Sequence, residues 1–148
     1  MSDSFSVLCA SGTLRAGAGG SAAHFDHRWT DGGVDVVADF TGAHLLHTCV
    51  AACILNDLYR EAASLGVRLD GVRVEAAGGF DESWGSTGIT YGVELDSPAD
   101  SAVQQELLQR VDRVAEIPRA LRREPPSPAR PDCGRAQVSG SHGNGAPP

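Results

Sequence analysis

The chain has 148 residues, a formal charge of −7 and an isoelectric point near 5.0, a length that suits one domain with a real core but hardly two. All twelve basic residues are arginine, which excludes Schiff-base and P-loop lysine chemistry, and the acidic balance argues against nucleic acid or an anionic membrane as partner. The opening MSDSFSVLCASG has no basic n-region and no long apolar core, so a soluble cytoplasmic protein with reduced cysteines is expected.

Three strands come first, over residues 4–11, 22–29 and 34–40. In the third, Val34, Val36, Ala38 and Phe40 alternate with Asp35 and Asp39, the period of a half-buried strand. Thr41 is a cap for a helix that runs to Leu65, and Gly66 is its stop. That helix is apolar nearly all round as far as Leu55 and amphipathic from Asn56, so it is expected to be central and buried on every side. Strands over 71–77 and 88–96 follow, with GGFDESWGST between them as a loop. Ser97, Pro98 and Asp100 mark a helix start, and Val103, Leu107, Val111 and Val114 form its buried stripe. Pro118 begins a short last helix through Leu121. From Glu124 the composition turns to Pro, Gly and Ser without an apolar period, so residues 1–123 form the domain and 124–148 a disordered tail.

Four cysteines, Cys9, Cys49, Cys53 and Cys133, contain no C-x-x-C pair, which excludes a zinc ribbon and a thioredoxin motif. Cys49 and Cys53 share a helix face, but their Cβ atoms lie about 5–6 Å apart, too far for a disulfide without unwinding. His44 and His47 are three residues apart, yet Cys53 points about 180° from the first and about 120° from the second. One helix therefore cannot close these ligands around zinc, and the histidines are read as contacting backbone or water. His24 and His27 near Asp26 are read as a solvated strand, and Asn56, Asp57, Arg60 and Glu61 as an outer helix face or dimer contact. Phe80 and Trp84 either line a pocket mouth or cover the sheet edge. No G-x-G-x-x-G, P-loop or Ser-His-Asp pattern is present.

GAHLLHTCVAACILNDLYREAASLGVRLDGVRVEAAGGF, STGITYGVELDSPAD and RVDRVAEIPRALR resemble the OsmC/Ohr family of organic-hydroperoxide reductases. The resemblance implies an α+β fold of antiparallel sheets around a long buried central helix, in an intertwined homodimer. It also implies thiol chemistry, with Cys53 as the peroxidatic nucleophile that becomes a sulfenic acid. The family's resolving cysteine, in a C-P segment, falls on Ile117-Pro118 and is missing; its helix-leading glutamate falls on Thr41-Gly42-Ala43 and is missing too. Arg15 and Arg28 are the candidates for the activating arginine. Leu45, Leu46, Val50 and Ile54 offer an apolar wall, with Leu46, Cys49 and Val50 as the candidate pocket residues.

The function expected is reduction of small-molecule organic hydroperoxides without cofactor or metal, in oxidative-stress defence. An external thiol or lipoyl reductant would resolve Cys53. The alternative is a non-catalytic dimer of the same fold that binds a small apolar ligand or a protein partner.

Overall fold

The computed structural model describes residues 4–17 and 23–121; the 124–148 tail and Cys133 lie outside them. Val7–Gly12 forms β1 and continues into a 3-10 turn over Thr13–Gly17. Next come β2 (Ala23–Phe25), β3 (Val34–Val37) and α1 (Gly42–Leu65), then β4 (Gly71–Phe80) and β5 (Ser86–Asp96). Two helices close the order, α2 (Ser101–Val114) and α3 (Glu116–Leu121). The strands make one antiparallel sheet in the order β2-β3-β1-β4-β5, where the sequence led us to expect more than one.

Register explains the core. Cys9 lies opposite both Val36 and Val74, and Val74 opposite Val93; one step along, Ser11 faces Val34 and Val72, and Val72 faces Leu95. Alternation sends all of these to one side of the sheet, where α1 lies with Val50, Ala51, Ile54, Leu55, Leu58 and Ala62 buried against it. Burying a leucine or isoleucine as fully as Leu58 and Ile54 contributes about 1.5–3 kcal/mol each. Leu107 and Val111 of α2 complete the cluster, as the stripe of that helix predicts.

Local chemistry sets the helix ends. Thr41 is extended, and its hydroxyl accepts from the His44 N–H; Gly66 is left-handed at φ 68°, with its N–H directed at the carbonyls of Ala62 and Ala63. At α2 the cap is Asp100, whose carboxylate accepts from Val103 N–H at 3.0 Å, rather than Ser97. The Ser97 hydroxyl instead donates to the Arg68 carbonyl at 2.6 Å and accepts from Ala99 N–H at 3.2 Å, one turn ahead of the helix.

Strand boundaries differ from the sequence reading: β1 begins only at Val7, and β3 stops at Val37, short of Ala38 and of Phe40, which is exposed. The second strand ends at Phe25, and beyond it His27 turns to Asn56 on α1 while Gly33 N–H bonds Thr30 in a turn. The β4–β5 hairpin is longer than its alternation suggested, because Asp81 closes a tight turn. Its carboxylate accepts from the N–H groups of Ser83 and Gly85, both at 2.8 Å, and so lets Phe80 pair with Ser86. Nor is α1 enclosed on every side within one chain: Leu45 remains 43% exposed and Cys49 is exposed.

Candidate active site

Leu46, Val50, Cys53, Asp57 and Arg60 follow one another along α1 at spacings of four, three, four and three residues, which places them on one face. The start of α3 lies over the middle of that face. Ala115, fully buried, anchors the approach, and the backbone N–H groups of Ile117 and Glu116 are directed at the Cys53 sulfur. Buried Pro118 follows. The position where the resemblance puts a resolving cysteine thus touches the position where it puts the nucleophile.

Beside this contact a cavity of about 350 Å³ opens between α1, β5 and α3. Leu46, Val50, Ile89, Tyr91, Pro118 and Leu121 supply most of its wall. The Tyr91 hydroxyl donates to Asp112 of α2 at 2.5 Å and so ties β5 to that helix. The cavity is mostly apolar, and Cys53 lies next to Val50 on the same helix face without lining it, so the cavity suits an apolar group.

The electrostatics are those of carboxylates. The Cys53 thiol donates to Asp57 Oδ2 at 3.8 Å. Burial, first of all, and then the charges of Asp57 and Glu116 push that thiol above its ordinary value, against the pull of the Ile117 and Glu116 N–H groups. Asp57, 3% exposed, is also pushed up by burial, while Arg60 draws it down. The Arg60 guanidinium stands 3.1 Å from Asp57 Oδ1 and 3.7 Å from Glu116 Oε1. Glu61 joins the same network through Arg60 and Arg110 of α2. Donor atoms of Cys53, Asp57 and Glu116 lie within 4.8 Å of one another. That is three potential metal ligands where zinc takes about four, and Arg60 already compensates the two carboxylates.

The candidates from sequence divide. Leu46 and Val50 line the cavity and Cys53 follows them on the same face of α1 without lining it, whereas Cys49 is exposed and also outside the wall. Arg15 is held by Asp35 at 3.0 Å and by the Gly32 carbonyl; with His24, it keeps the Asp35 carboxyl below its ordinary value, the His24 hydrogen bond acting most. Arg28 lies over the Trp29 ring at 5.7 Å. Neither arginine is among the groups acting on Cys53 in this chain. Ala43 sits in the first turn of α1. His47, 1% exposed, bonds the Phe5 carbonyl, a backbone contact as expected, whereas the His44 ring bonds the Thr41 side-chain hydroxyl rather than backbone or water. Phe80 packs against Phe5, while Trp84 is 81% exposed at the hairpin turn.

Sequence reasoning passed over Asp57, Arg60 and Glu116 as functional residues. The spacing of Asp57 and Arg60 from Cys53, by four and by seven, was the available signal; nothing local could bring Glu116 to them. Among the described residues no helix is long and apolar enough to cross a membrane.

The sequence profile of OsmC-like proteins matches residues 34–127, more than half of the chain. Two solved structures share the fold. One is an OsmC-like protein from Mycoplasma pneumoniae, with a TM-score of 0.52 and 14% identity over 67% of this chain and 84% of that one. The other is an OsmC-like hydroperoxide resistance protein from Jannaschia sp. CCS1, with a TM-score of 0.53 and 13% identity over 84% of this chain and 90% of that one. Among curated proteins no sequence matches.

Proposed function

The chain belongs to the OsmC-like family, and from that premise we propose that it reduces organic hydroperoxides in the cytoplasm, with Cys53 as the nucleophile. One arrangement carries the reading: the Cys53 thiol lies beneath the start of α3, and an apolar cavity walled by Leu46, Val50 and Pro118 opens beside it on the same face of α1. The alkyl group of the substrate fills the cavity and the peroxide oxygens meet the sulfur. The hydroperoxide resistance protein from Jannaschia, similar in fold, supports the same direction.

Ile117 stands where a resolving cysteine is expected, so an external thiol or lipoyl reductant attacks the Cys53 sulfenic acid and then releases it in a second exchange. The protein acts as a homodimer. Leu45 and Cys49, uncovered in one chain, are the apolar part of α1 that a second copy buries, and the partner is then a second source of cations for the thiolate. A different reading, an OsmC-like dimer that binds a small apolar ligand or a protein without turnover, is favoured by the raised Cys53 thiol and by the absence of the second cysteine.

Trapping decides between them. Reduced protein and Cys53→Ser each meet cumene hydroperoxide in the presence of a sulfenic-acid probe, followed by peptide mass spectrometry. Fast labelling at Cys53, lost in the variant and slower with hydrogen peroxide, is the result expected; with a small thiol added, a mixed disulfide forms at the same residue. Labelling no faster than in unfolded protein would overturn catalysis and leave ligand binding.

A further inference from the structure

We propose that Asp57 is the proton acceptor for Cys53 and that Arg60 positions it, an acid–base relay carried on one face of α1. The proposal rests on the peroxidase reading for its substrate but on the structure for its geometry.

The two oxygens of Asp57 have different partners. Oδ2 accepts from the Cys53 thiol at 3.8 Å, and Oδ1 is held by Arg60 Nη1 at 3.1 Å. A nucleophile bonded to a base whose second atom is fixed by a third group is the arrangement that activates weak nucleophiles. The helix enforces it, since residues at four and seven positions from Cys53 recur on its face. Asp57 is 3% exposed, so water does not compete for Oδ2 as it would at the surface. Burial also raises its affinity for a proton. The other charged groups around it are Glu116 on α3, 3.7 Å from Arg60, and Glu61 on α1, which Arg110 of α2 neutralises in part. No Arg15 or Arg28 contact is needed.

The step balances as follows. Sulfur attacks the distal oxygen of ROOH while its S–H proton passes to Asp57 Oδ2. The S–O bond forms as the O–O bond breaks, and the O–O electron pair leaves on the alkoxy oxygen. That oxygen takes the proton from Asp57 and departs as ROH, and the sulfur, oxidised by two electrons, is left as Cys53–SOH. A thiol is a much weaker acid than a carboxyl, so the proton does not rest on Asp57; it crosses during the attack, when the leaving oxygen is ready to receive it.

The test uses the intact protein and two electrophiles, with Cys53 followed by peptide mass spectrometry. Iodoacetamide rates are measured from about pH 5 to 9; a free thiolate route falls about tenfold per pH unit below its pKa. With Asp57 as base, the native protein shows a plateau below neutrality, and Asp57→Asn loses it and reacts about a hundredfold more slowly there. Arg60→Gln weakens the plateau and Arg60→Lys restores part of it. Equal thermal midpoints of native and Asp57→Asn protein exclude unfolding as the cause, and Glu116→Gln, which leaves Asp57 in place, keeps the plateau whatever the fate of the Asp57 variant.

Parallel profiles of unit slope, or faster reaction in Asp57→Asn, would overturn the relay and make Asp57 only a charge that repels the thiolate. Cumene hydroperoxide distinguishes the two readings. A plateau lost in Asp57→Asn together with no sulfenic acid in the native protein upholds the base and refutes peroxide reduction. Sulfenic acid formed equally fast in native and Asp57→Asn protein upholds reduction and refutes the base.

Discussion

The backbone N–H of Ile117 is directed at the sulfur of Cys53. These residues come from α3 and from the middle of α1, and the resemblance assigns them the two halves of a thiol pair. The fold has kept the meeting point while the second sulfur is absent. Ile117→Cys is therefore expected to form a disulfide between Cys53 and the introduced thiol when the reduced variant meets cumene hydroperoxide, if the Cβ atoms close to about 3.5–4.5 Å. Non-reducing peptide mapping reads it directly. Sulfenic acid at Cys53 with no such bond would show that α3 holds the introduced side chain off the nucleophile.

Leu46 tests the cavity. Its side chain lines the apolar wall away from the chemistry, so Leu46→Trp fills space that an alkyl group would use. The second-order rate with cumene hydroperoxide should fall about fivefold, equivalent to about 1 kcal/mol of lost apolar contact. The rate with hydrogen peroxide, which needs no such wall, should stay within about twofold. Equal losses with both would place the alkyl group elsewhere.

Cys9 reports on the core through alkaline stability. Burial pushes its thiol from 9.0 up to about 12, so the folded state holds a proton that the unfolded chain has released. A folded value above the unfolded one contributes stability that is fully present below about pH 9. It is lost as pH rises towards 12, at no more than about 1.4 kcal/mol per pH unit. Denaturant unfolding of native protein and of Cys9→Ala should differ in slope over that window and run parallel below it. The same burial predicts that Cys9 resists alkylation until the protein unfolds.

Leu58 is fully buried between α1 and the sheet. Leu58→Ala should cost about 2–5 kcal/mol, the transfer term plus the cavity left behind. Urea midpoints measure it; a loss under about 1 kcal/mol would mean that the sheet and α2 collapse into the gap.

Much of the fold was legible in the residues themselves. Thr41 and Gly66 bound α1 because capping is a contact between near neighbours in sequence. Val103, Leu107, Val111 and Val114 marked the inward side of α2, of which Leu107 and Val111 are buried and the other two half-buried, for the same reason: a helical period needs no distant partner to be seen. Where a side chain beyond the window decided, the reading slipped. Ser97 Oγ reaches back to the Arg68 carbonyl while Asp100 caps α2; the longer β4–β5 hairpin, by contrast, rests on a local contact the reading missed, Asp81 bonding its own turn.

The site divides along the same line. By itself the sequence determined that Cys53 sits in a long apolar helix, with Leu46 and Val50 on its face and neither a C-P segment nor a helix-leading glutamate to serve it. Only the tertiary structure decided the company that the thiol keeps. Packing of α3 across α1 brings the Ile117 and Glu116 N–H groups and the Glu116 carboxylate to the sulfur. It also stations Arg60 between Glu116 and Asp57, and pairing of Arg15 with Asp35 commits that arginine to the sheet. Periodicity reports which way a side chain faces, because neighbours along the chain set it. Which charge it meets depends on elements far apart in sequence, and that is fixed when the core brings them together.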